Sequence, residues 1–262
     1  MIETLNTHIP QLDSMKKYPK EIFYIGNTPL LQNQMVSIVG TRKPNQYTKQ
    51  FTYELASKLS SANITIVSGA AMGVDAIAHN GASASNTIAV AGTGLDIRYP
   101  AVNNNLIKDI EQKGLILSCF KPGTPSTRYN FPIRNEIVVA LGEVLIVTQA
   151  DQNSGTMRSV EYALKMGKDI FVLPHRLDES MGTQKLLQEN KAKPIYDIDS
   201  FVDSLKSGSK ISCNSISDME QFFLSNPTYD EAMQRYPSEV FSYELSGKIE
   251  VINGKVIVKG IV

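Results

Sequence analysis

The segment Ser68-Gly-Ala-Ala-Met-Gly-Val-Asp-Ala-Ile-Ala-His79 decides the fold of this chain. It follows an apolar run, Ile64 to Val67, and its small residues lead directly into a helical pattern. A strand that ends in small residues and opens a helix leaves unpaired backbone N–H groups at the positive end of the helix dipole. The segment therefore predicts a strand–turn–helix unit whose turn binds an anion such as phosphate.

Two more strand ends of the same kind occur in the first hundred residues. One is Ser37-Ile-Val-Gly-Thr-Arg-Lys-Pro44, upstream, and the other is Ala91-Gly-Thr-Gly94, downstream. The carboxyl ends of parallel strands meet at one edge of a sheet, and ligands of such sheets bind there. We therefore expect the three turns to lie together and to form a polyanion site.

Short apolar runs alternate with helical patterns from Gln34 onward, and this alternation predicts an α/β fold. The predicted strands are Met35 to Val39, Ile64 to Val67, Thr87 to Ala91, Leu115 to Cys119, Val144 to Thr148 and Ile170 to Leu173. The predicted helices include one whose buried face is Tyr47, Phe51, Leu55 and Leu59, and further ones at Asn103 to Gln112, Phe131 to Leu141, Thr156 to Met166 and Gly182 to Glu189. We expect an extended Rossmann-like, mostly parallel sheet with helices on both faces.

The composition of the chain predicts four parts. Residues 1–34 form a lead-in, 35–206 the Rossmann-like domain, 207–217 a polar linker, and 218–262 a small winged-helix-like domain. The last part has three short helical patterns and then an Asn253-Gly254 hairpin signal. It carries four basic side chains against seven acidic ones, which favours a protein contact over duplex DNA recognition.

Bulk composition gives few further restrictions. The chain has 262 residues, with 26 Lys and Arg against 26 Asp and Glu, so any basic site must be local. Its two cysteines, Cys119 and Cys213, have no metal or redox spacing, which suits a reducing cytoplasm. We see no signal peptide and no membrane-spanning stretch, and expect a cytoplasmic protein without a membrane contact.

The common nucleotide-binding motifs do not fit the three turns. A dinucleotide site needs Gly-x-Gly-x-x-Gly at the first strand–helix turn, where this chain has a lone Gly40 followed by Arg42 and Lys43. The Gly92-Thr-Gly94 turn lacks a third glycine, and a Walker sequence is absent. NAD and ATP are therefore disfavoured, and we expect no cofactor and no metal.

Five ordered motifs together resemble the DNA-processing protein A (DprA/Smf) family. They are Ser37-Ile-Val-Gly-Thr-Arg42, Ser68-Gly-x-Ala-x-Gly-x-Asp75 with Ala78-His79, Gly92-x-Gly94 with Tyr99-Pro100, Phe131-Pro-x-Arg134-Asn135, and Gly155-Thr156. The resemblance runs from about Tyr18 through Leu205, and the tail also fits the layout of the family. It implies a non-catalytic, homodimeric protein that binds and protects single-stranded DNA and loads RecA recombinase during natural transformation.

The candidate DNA-binding residues follow from the motifs and from their chemistry. Arg42 and Arg128 are expected to flank a pocket for the phosphate backbone, while Phe131 contacts a base. At the position of Arg128 the family usually has lysine, so the charge is preserved. The full set is Gly40, Thr41, Arg42, Ser68, Gly69, Ala70, Gly73, Gly92, Gly94, Lys121, Arg128, Asn130, Phe131, Arg134, Asn135, Gly155 and Thr156.

Structural roles compete with these assignments. The glycines 73, 92 and 94 could only allow tight turns, and Phe131 could belong to the core. Arg134 and Asn135 could form an ion pair or a cap with Glu136 on one helix. We expect Asp75 to brace the turn and His79 to pack in the interior.

Two other functions remain as alternatives. Nucleoside monophosphate phosphoribohydrolases of the lysine-decarboxylase-like Rossmann group carry Pro-Gly-Gly-x-Gly-Thr-x-x-Glu, to which Asn153-Ser-Gly155-Thr156-Met-Arg-Ser-Val-Glu161 is similar. The double glycine is missing and Glu161 is displaced along the helix, and no other catalytic set stands out. The third hypothesis is a nucleotide-sensing adaptor that binds a small phosphate ligand.

Overall fold

The computed structural model describes residues 1–206, 222–223, 225–245 and 247–259. Contacts along the chain divide it into two units, Met1–Gly208 and Ser209–Val262. Among the helices of the described residues, none combines the length and the apolar character needed to cross a membrane.

The first unit is built on a nine-stranded sheet in the order β1-β2-β6-β5-β4-β3-β7-β8-β9. The strands are β1 Glu3–Thr4, β2 Phe23–Gly26, β3 Met35–Val39, β4 Thr65–Ser68, β5 Thr87–Val90, β6 Leu115–Ser118, β7 Leu145–Val147, β8 Ile170–Val172 and β9 Lys193–Pro194. Strands β3 to β9 pair in parallel, whereas β2 pairs antiparallel with both β1 and β6. The predicted Rossmann-like, mostly parallel sheet is confirmed.

Among the described residues of this unit, six helices connect the strands and a seventh follows β9. They are α1 Gln46–Ser61, α2 Val74–Ala82, α3 Asn104–Lys113, α4 Asn130–Leu141, α5 Gly155–Lys165, α6 Met181–Gln188 and α7 Ile198–Lys206. Short 3₁₀ turns lie at Pro10–Ser14, Thr28–Gln32, Ala84–Asn86 and Ala101–Asn103. Strands β3 to β8 are buried along their whole length, as expected for strands covered on both faces.

The strand order reverses beside β3. Successive strands β3, β4, β5 and β6 run to one side, and β7 then returns to pair with β3 on the other side. A reversal of this kind opens a crevice outside the carboxyl ends of the two central strands. The segments that follow β3 and β7 therefore border the expected ligand site.

The buried face of α1 differs from the prediction near its first turn. Leu55 and Leu59 are buried as expected, but Tyr47 is 39% exposed. Thr48 and Thr52 occupy the buried positions instead. Asn45 caps the first turn of α1 by accepting the Thr48 N–H at 2.8 Å, and in this geometry Tyr47 faces outward.

The segment 1–34, expected as a lead-in, contributes to the sheet itself. Strand β2 pairs with β6 from Phe23↔Ser118 to Gly26↔Leu115. Leu12, Leu30 and Leu31 are buried in the same core as β3 and α4. This segment therefore completes one edge of the fold.

The second unit contains two helices and a hairpin among its described residues. They are α8 Tyr229–Arg235, α9 Pro237–Leu245, and the antiparallel strands β10 Ile249–Ile252 and β11 Lys255–Val258. Asn253 and Gly254 form the predicted turn with positive φ values of 51° and 74°. The predicted linker lies outside the described residues, as does the first predicted helix except Phe222 and Phe223, so the winged-helix assignment stays a prediction.

Candidate nucleic-acid interface

A cleft of about 560 Å³ lies at the point where the strand order reverses. We call it the main cleft; it is lined by residues 39–43, 71, 75, 131, 134–135, 149, 151, 154–156 and 159. The segments that follow β3 and β7 supply opposite walls, and Thr41 N–H donates to the Gln149 carbonyl at 2.9 Å between them. Of the predicted residues, it brings together Gly40, Thr41, Arg42, Phe131, Arg134, Asn135, Gly155 and Thr156.

An aromatic ring between two cations dominates one wall of the main cleft. The guanidinium carbons of Arg42 and Arg134 each lie 5.8 Å from the centroid of the Phe131 ring. Tyr99, which is 42% exposed, places its ring centroid 5.8 Å from that of Phe131. Arg42 is exposed, and Phe131 is half-buried. This wall can therefore bind a planar apolar group and an anion side by side.

Arg134 carries a buried charge that is only partly compensated. It is 5% exposed, its Nη1 lies 3.8 Å from Asp75 Oδ2, and its Nε has no hydrogen-bond partner. Burial lowers the pKa of Arg134, and the charge of Arg42 adds to this effect while Asp75 opposes it. Burial also raises the pKa of Asp75, against the charge of Arg134 and two backbone N–H groups. An anion in the main cleft would supply the missing counter-charge.

The start of α5 forms the opposite wall. Ser154, the residue before the helix, makes no side-chain cap, and Gly155 has open space where a Cβ would lie. The first amides of a helix have no intrahelical acceptor and carry partial positive charge. The Gly155 and Thr156 end of α5 is therefore suited to a phosphate oxygen, as the sequence predicted.

In the Ser68–His79 segment, three backbone amides are bonded to side chains of the same segment. Asp75 Oδ2 accepts the N–H groups of Gly69 and Ala71 at 3.2 and 3.4 Å, and His79 Nε2 accepts that of Ala70 at 3.3 Å. The hydroxyl of Ser68 donates to the Ile38 carbonyl inside the core. Of the amides predicted to bind an anion, those of Gly69, Ala70 and Ala71 are therefore already bonded to Asp75 and His79.

Three predicted glycines act through close packing. A Cβ on Gly73, whose φ is +80°, would lie 2.4 Å from the Thr41 carbonyl oxygen. One on Gly94 would lie 2.5 Å from the Lys121 carbonyl oxygen, and one on Gly92 would lie 3.0 Å from the Phe131 ring. Gly73, against Thr41, and Gly92, against Phe131, are thus each packed directly against a residue that lines the main cleft.

Lys121, Arg128 and Asn130 lie outside the lining of the main cleft. Lys121 Nζ pairs with Glu21 at 3.4 Å, and Arg128 stacks on the Tyr129 ring at 4.8 Å. Asn130 Nδ2 donates to the carbonyls of Gly92 and Pro125, each at 3.1 Å. Asn130 therefore braces the loop before α4, and the expected flanking position of Arg128 is not observed.

Several lining residues were not predicted from the sequence. Lys43, Gln149, Asp151 and Ser154 border the main cleft, and Tyr99 lies against Phe131. The available signal was the strand order, because the segment after β7 must face the segment after β3 once the order reverses. Glu161, the displaced acidic residue of the hydrolase-like motif, is exposed on α5 outside the lining.

The fold and the cleft define a Rossmann-like protein whose switch point presents cations, an aromatic ring and a helix N-terminus in place of a dinucleotide loop. A comparison with family models then identifies the group. The chain belongs to the family described as DNA recombination-mediator protein A, whose model matches residues 3–206.

Relatives of known name support this assignment. Protein Smf of Synechocystis sp. is 37% identical over 195 residues, which cover 71% of this chain and 49% of that protein. DNA processing protein DprA of Streptococcus pneumoniae is 35% identical over 175 residues, which cover 65% of this chain and 62% of that protein. The chain thus spans about half to three fifths of the length of these relatives.

Two solved structures have the same fold. DNA processing protein A of Helicobacter pylori, studied for its single-stranded DNA binding mode, superposes with a TM-score of 0.78 at 40% identity, covering 79% of this chain and 96% of that one. DprA of Streptococcus pneumoniae superposes with a TM-score of 0.72 at 32% identity, covering 78% of this chain and 73% of that one.

Proposed function

We propose that this chain is a non-catalytic, single-stranded DNA-binding mediator of recombination. In this proposal it protects incoming strands and loads RecA recombinase on them during natural transformation. The observation that carries the proposal is the Phe131 ring with the guanidinium groups of Arg42 and Arg134 at 5.8 Å. A base stacked on an aromatic ring beside a bound phosphate is the general mode of sequence-tolerant single-strand binding.

The electrostatics of the main cleft support a strand over a neutral ligand. Arg42 is free to contact a backbone phosphate bidentately, and the uncapped start of α5 offers amides on the other side. Arg134 lacks a full counter-charge behind them. Two separate anion-binding elements in one cleft match successive phosphates of a chain.

The relatives support the same function. The Helicobacter pylori protein, 40% identical, binds single-stranded DNA, and the matching family model describes a recombination mediator. A cytoplasmic homodimer with RecA as its partner belongs to this proposal. For residues 218–262 we propose a protein-contact role, because the acidic side chains there outnumber the basic ones.

Salt-dependent anisotropy of a labelled oligothymidine tests the main cleft. We expect Arg42→Ala to weaken binding roughly tenfold or more, since a hydrogen bond to a charged group contributes about 1.5–3 kcal/mol. The slope of log K against log salt should fall in magnitude by about 0.7 for one lost phosphate contact. Arg158→Ala, which removes an exposed charge of α5 outside the lining, is the matched control. Equal affinity of the Arg42→Ala and control proteins would refute the site.

A second comparison tests the position of Arg128. Because this side chain stacks on Tyr129 outside the lining, Arg128→Ala should weaken binding less than Arg42→Ala. A deletion of residues 218–262 should leave oligothymidine binding largely intact and reduce RecA loading. A large loss of DNA affinity in the deletion would show that the tail binds DNA.

The hydrolase alternative is less well supported. The carboxylates that line the main cleft are Asp75, already paired with Arg134, and Asp151, while Glu161 lies elsewhere. Incubation with nucleoside monophosphates should therefore release no free base. Detection of base by chromatography, abolished by Asp151→Asn, would favour the enzyme instead.

A further inference from the structure

A second cleft of about 490 Å³ lies at the carboxyl end of β8, beside the start of α1. It is lined by residues 45–47, 174–176 and 179. The two clefts are adjacent. Lys43 and Gln149 line the main cleft, and Asn45 lines the second. The Asn45 N–H donates to Gln149 Oε1 at 3.0 Å and so joins the two linings.

The walls of the second cleft are tied together by side-chain hydrogen bonds. Asn45 Nδ2 donates to Glu179 Oε2 at 3.3 Å and so joins the start of α1 to the loop after β8. The amide of Gln184 donates to the carbonyls of Arg176 and Glu179, which holds that loop from α6. The second cleft is therefore a formed feature of the fold.

A buried histidine with a free acceptor lies on its floor. The side chain of His175 is fully buried, and its Nε2 lies 2.7 Å from the Thr148 carbonyl oxygen. A carbonyl oxygen can only accept, so Nε2 carries the ring hydrogen and Nδ1 of the neutral ring is an acceptor. Nδ1 has no hydrogen-bond partner. An unsatisfied buried acceptor requires an explanation.

A second acceptor lies close to Nδ1. Glu179 Oε2 lies 3.7 Å away, on a side chain that is 41% exposed. Two acceptors at this separation can both bind a ligand that presents two adjacent N–H donors. The carboxylate also disfavours a phosphate inside the second cleft. The exposed Arg176 at the rim remains available for a phosphate of the same nucleotide.

An aromatic ring completes the second cleft. Tyr47 is 39% exposed and meets the His175 ring edge-on at 5.4 Å between centroids. Its exposed part offers a surface on which a planar group such as a nucleobase can stack. An aromatic surface beside an acceptor pair is suited to a nucleobase.

We propose that the second cleft binds guanine. The N1–H of the base donates to His175 Nδ1, its N2 amino group donates to the Glu179 carboxylate, and its ring lies against Tyr47. Guanine presents two adjacent donors on one edge. Thymine presents one donor between two carbonyls, and adenine and cytosine each present a donor beside an acceptor. The assignment of this base to the bound strand rests on the proposed single-strand function, whereas the chemistry of the second cleft does not.

Titration of the full chain with free nucleosides, followed by amide chemical shifts, tests the chemistry. We expect 2′-deoxyguanosine to shift residues 45–47 and 174–179 and to bind about tenfold more tightly than thymidine, with 2′-deoxyinosine, which lacks the amino group, between them. Glu179→Gln should weaken 2′-deoxyguanosine about tenfold. Asp178→Asn, which removes the same charge from the same loop outside the lining, should not.

Several results would overturn the proposal. They are equal binding of thymidine and 2′-deoxyguanosine, binding of agmatine as tight as that of 2′-deoxyguanosine, or an imidazole ¹⁵N spectrum showing a hydrogen on His175 Nδ1. The ¹⁵N spectrum is recorded on the wild-type protein, so this test does not depend on whether a variant folds.

A second arm separates a base in a strand from a free nucleotide. One guanine placed within oligothymidine should raise affinity in the wild type and not in Glu179→Gln if the base comes from the strand. If 2′-deoxyguanosine binds but a guanine within oligothymidine does not raise affinity, the second cleft binds a free nucleotide and not a base of the strand. Arg42→Ala should leave nucleoside binding unchanged, so failure of the main cleft is distinguishable from failure of the second.

Discussion

The neutral state of His79 predicts a measurable loss of stability in acid. Its ring is fully buried, and burial lowers its pKa to about 3 from an ordinary value of 6.5, with the charge of Arg134 adding to the effect. Nε2 accepts the Ala70 N–H, and Nδ1 lies 2.7 Å from Thr87 Oγ1, whose own hydrogen goes to the Ile66 carbonyl. A proton on Nε2 would remove the acceptor for Ala70 in this network.

The direction and size follow from linkage. Because the folded pKa is lower than the unfolded one, the unfolded chain binds the extra proton between pH 6.5 and about 3. The stabilisation from the neutral ring is therefore complete above pH 6.5 and is lost as the pH falls through this window. With these pKa values the free energy of unfolding at pH 5 is lower by about 2 kcal/mol than at pH 8.

Urea unfolding at pH 8 and pH 5, followed by circular dichroism, measures this difference. His79→Gln retains an oxygen that can accept the Ala70 N–H and does not titrate, so it should lack about 2 kcal/mol of the wild-type decrease. Asp75 is present in both proteins, and its own titration cancels in the comparison to first order. Equal pH dependence in the two proteins would refute a neutral buried His79.

Two further predictions concern the packing around the main cleft and the core. Lys168 Nζ donates to three carbonyls at the end of α4. Lys168→Met should therefore lower the free energy of unfolding, measured by urea titration, by about 1–3 kcal/mol. The control Lys165→Met, at an exposed site, should change it little. A Gly92→Val substitution places carbon atoms within about 3 Å of the Phe131 ring. It should weaken oligothymidine binding several-fold and leave the circular dichroism spectrum unchanged. Unchanged affinity would show that the ring does not contact DNA.

The fold was largely predictable because its strands are buried on both faces. Such strands are short apolar runs bounded by Gly, Pro or polar residues, and every predicted run from Met35 onward is a strand. The ends differ by a residue or two: Ala91 and Cys119 were predicted inside strands that end at Val90 and Ser118. Strand β2 was missed because a short antiparallel strand of four residues, with one of them buried, has no clear apolar pattern.

The topology predicts those residues of the candidate site that follow a strand, whereas Phe131, Arg134 and Asn135 were predicted from the family motif. Arg42 follows β3 directly, and Gly155 begins α5 after β7, so topology places both in the crevice. Arg128 is close to Phe131 in sequence, but the loop before it is held away from the main cleft. Asp96 accepts the Gly123 N–H at 2.8 Å, and the Thr124 carbonyl accepts the Gly94 N–H at 2.9 Å. A short separation in sequence between two residues of a loop therefore does not predict that their side chains face the same cleft.

The Ser68–His79 turn shows how a helix can use the amides that its own start exposes. Asp75, in the first turn of α2, reaches back to the N–H groups of Gly69 and Ala71, and His79 reaches that of Ala70 one turn later. An acidic residue at this position was visible in the sequence and favours internal bonds over a bound anion. The turn therefore holds the main cleft in shape.

The first strand–helix turn of this fold also differs from the turn of a dinucleotide site. In dinucleotide-binding folds a glycine-rich turn brings the pyrophosphate to the start of the first helix. Here the Thr48 N–H at the start of α1 is bonded to Asn45 Oδ1, and Arg42 and Lys43 occupy the turn. The groups of this crevice that are suited to an anion are instead the side-chain cations and the start of α5. Side chains that reach outward can follow an extended backbone, whereas a tight turn holds one compact phosphate group, so this exchange favours a strand over a cofactor.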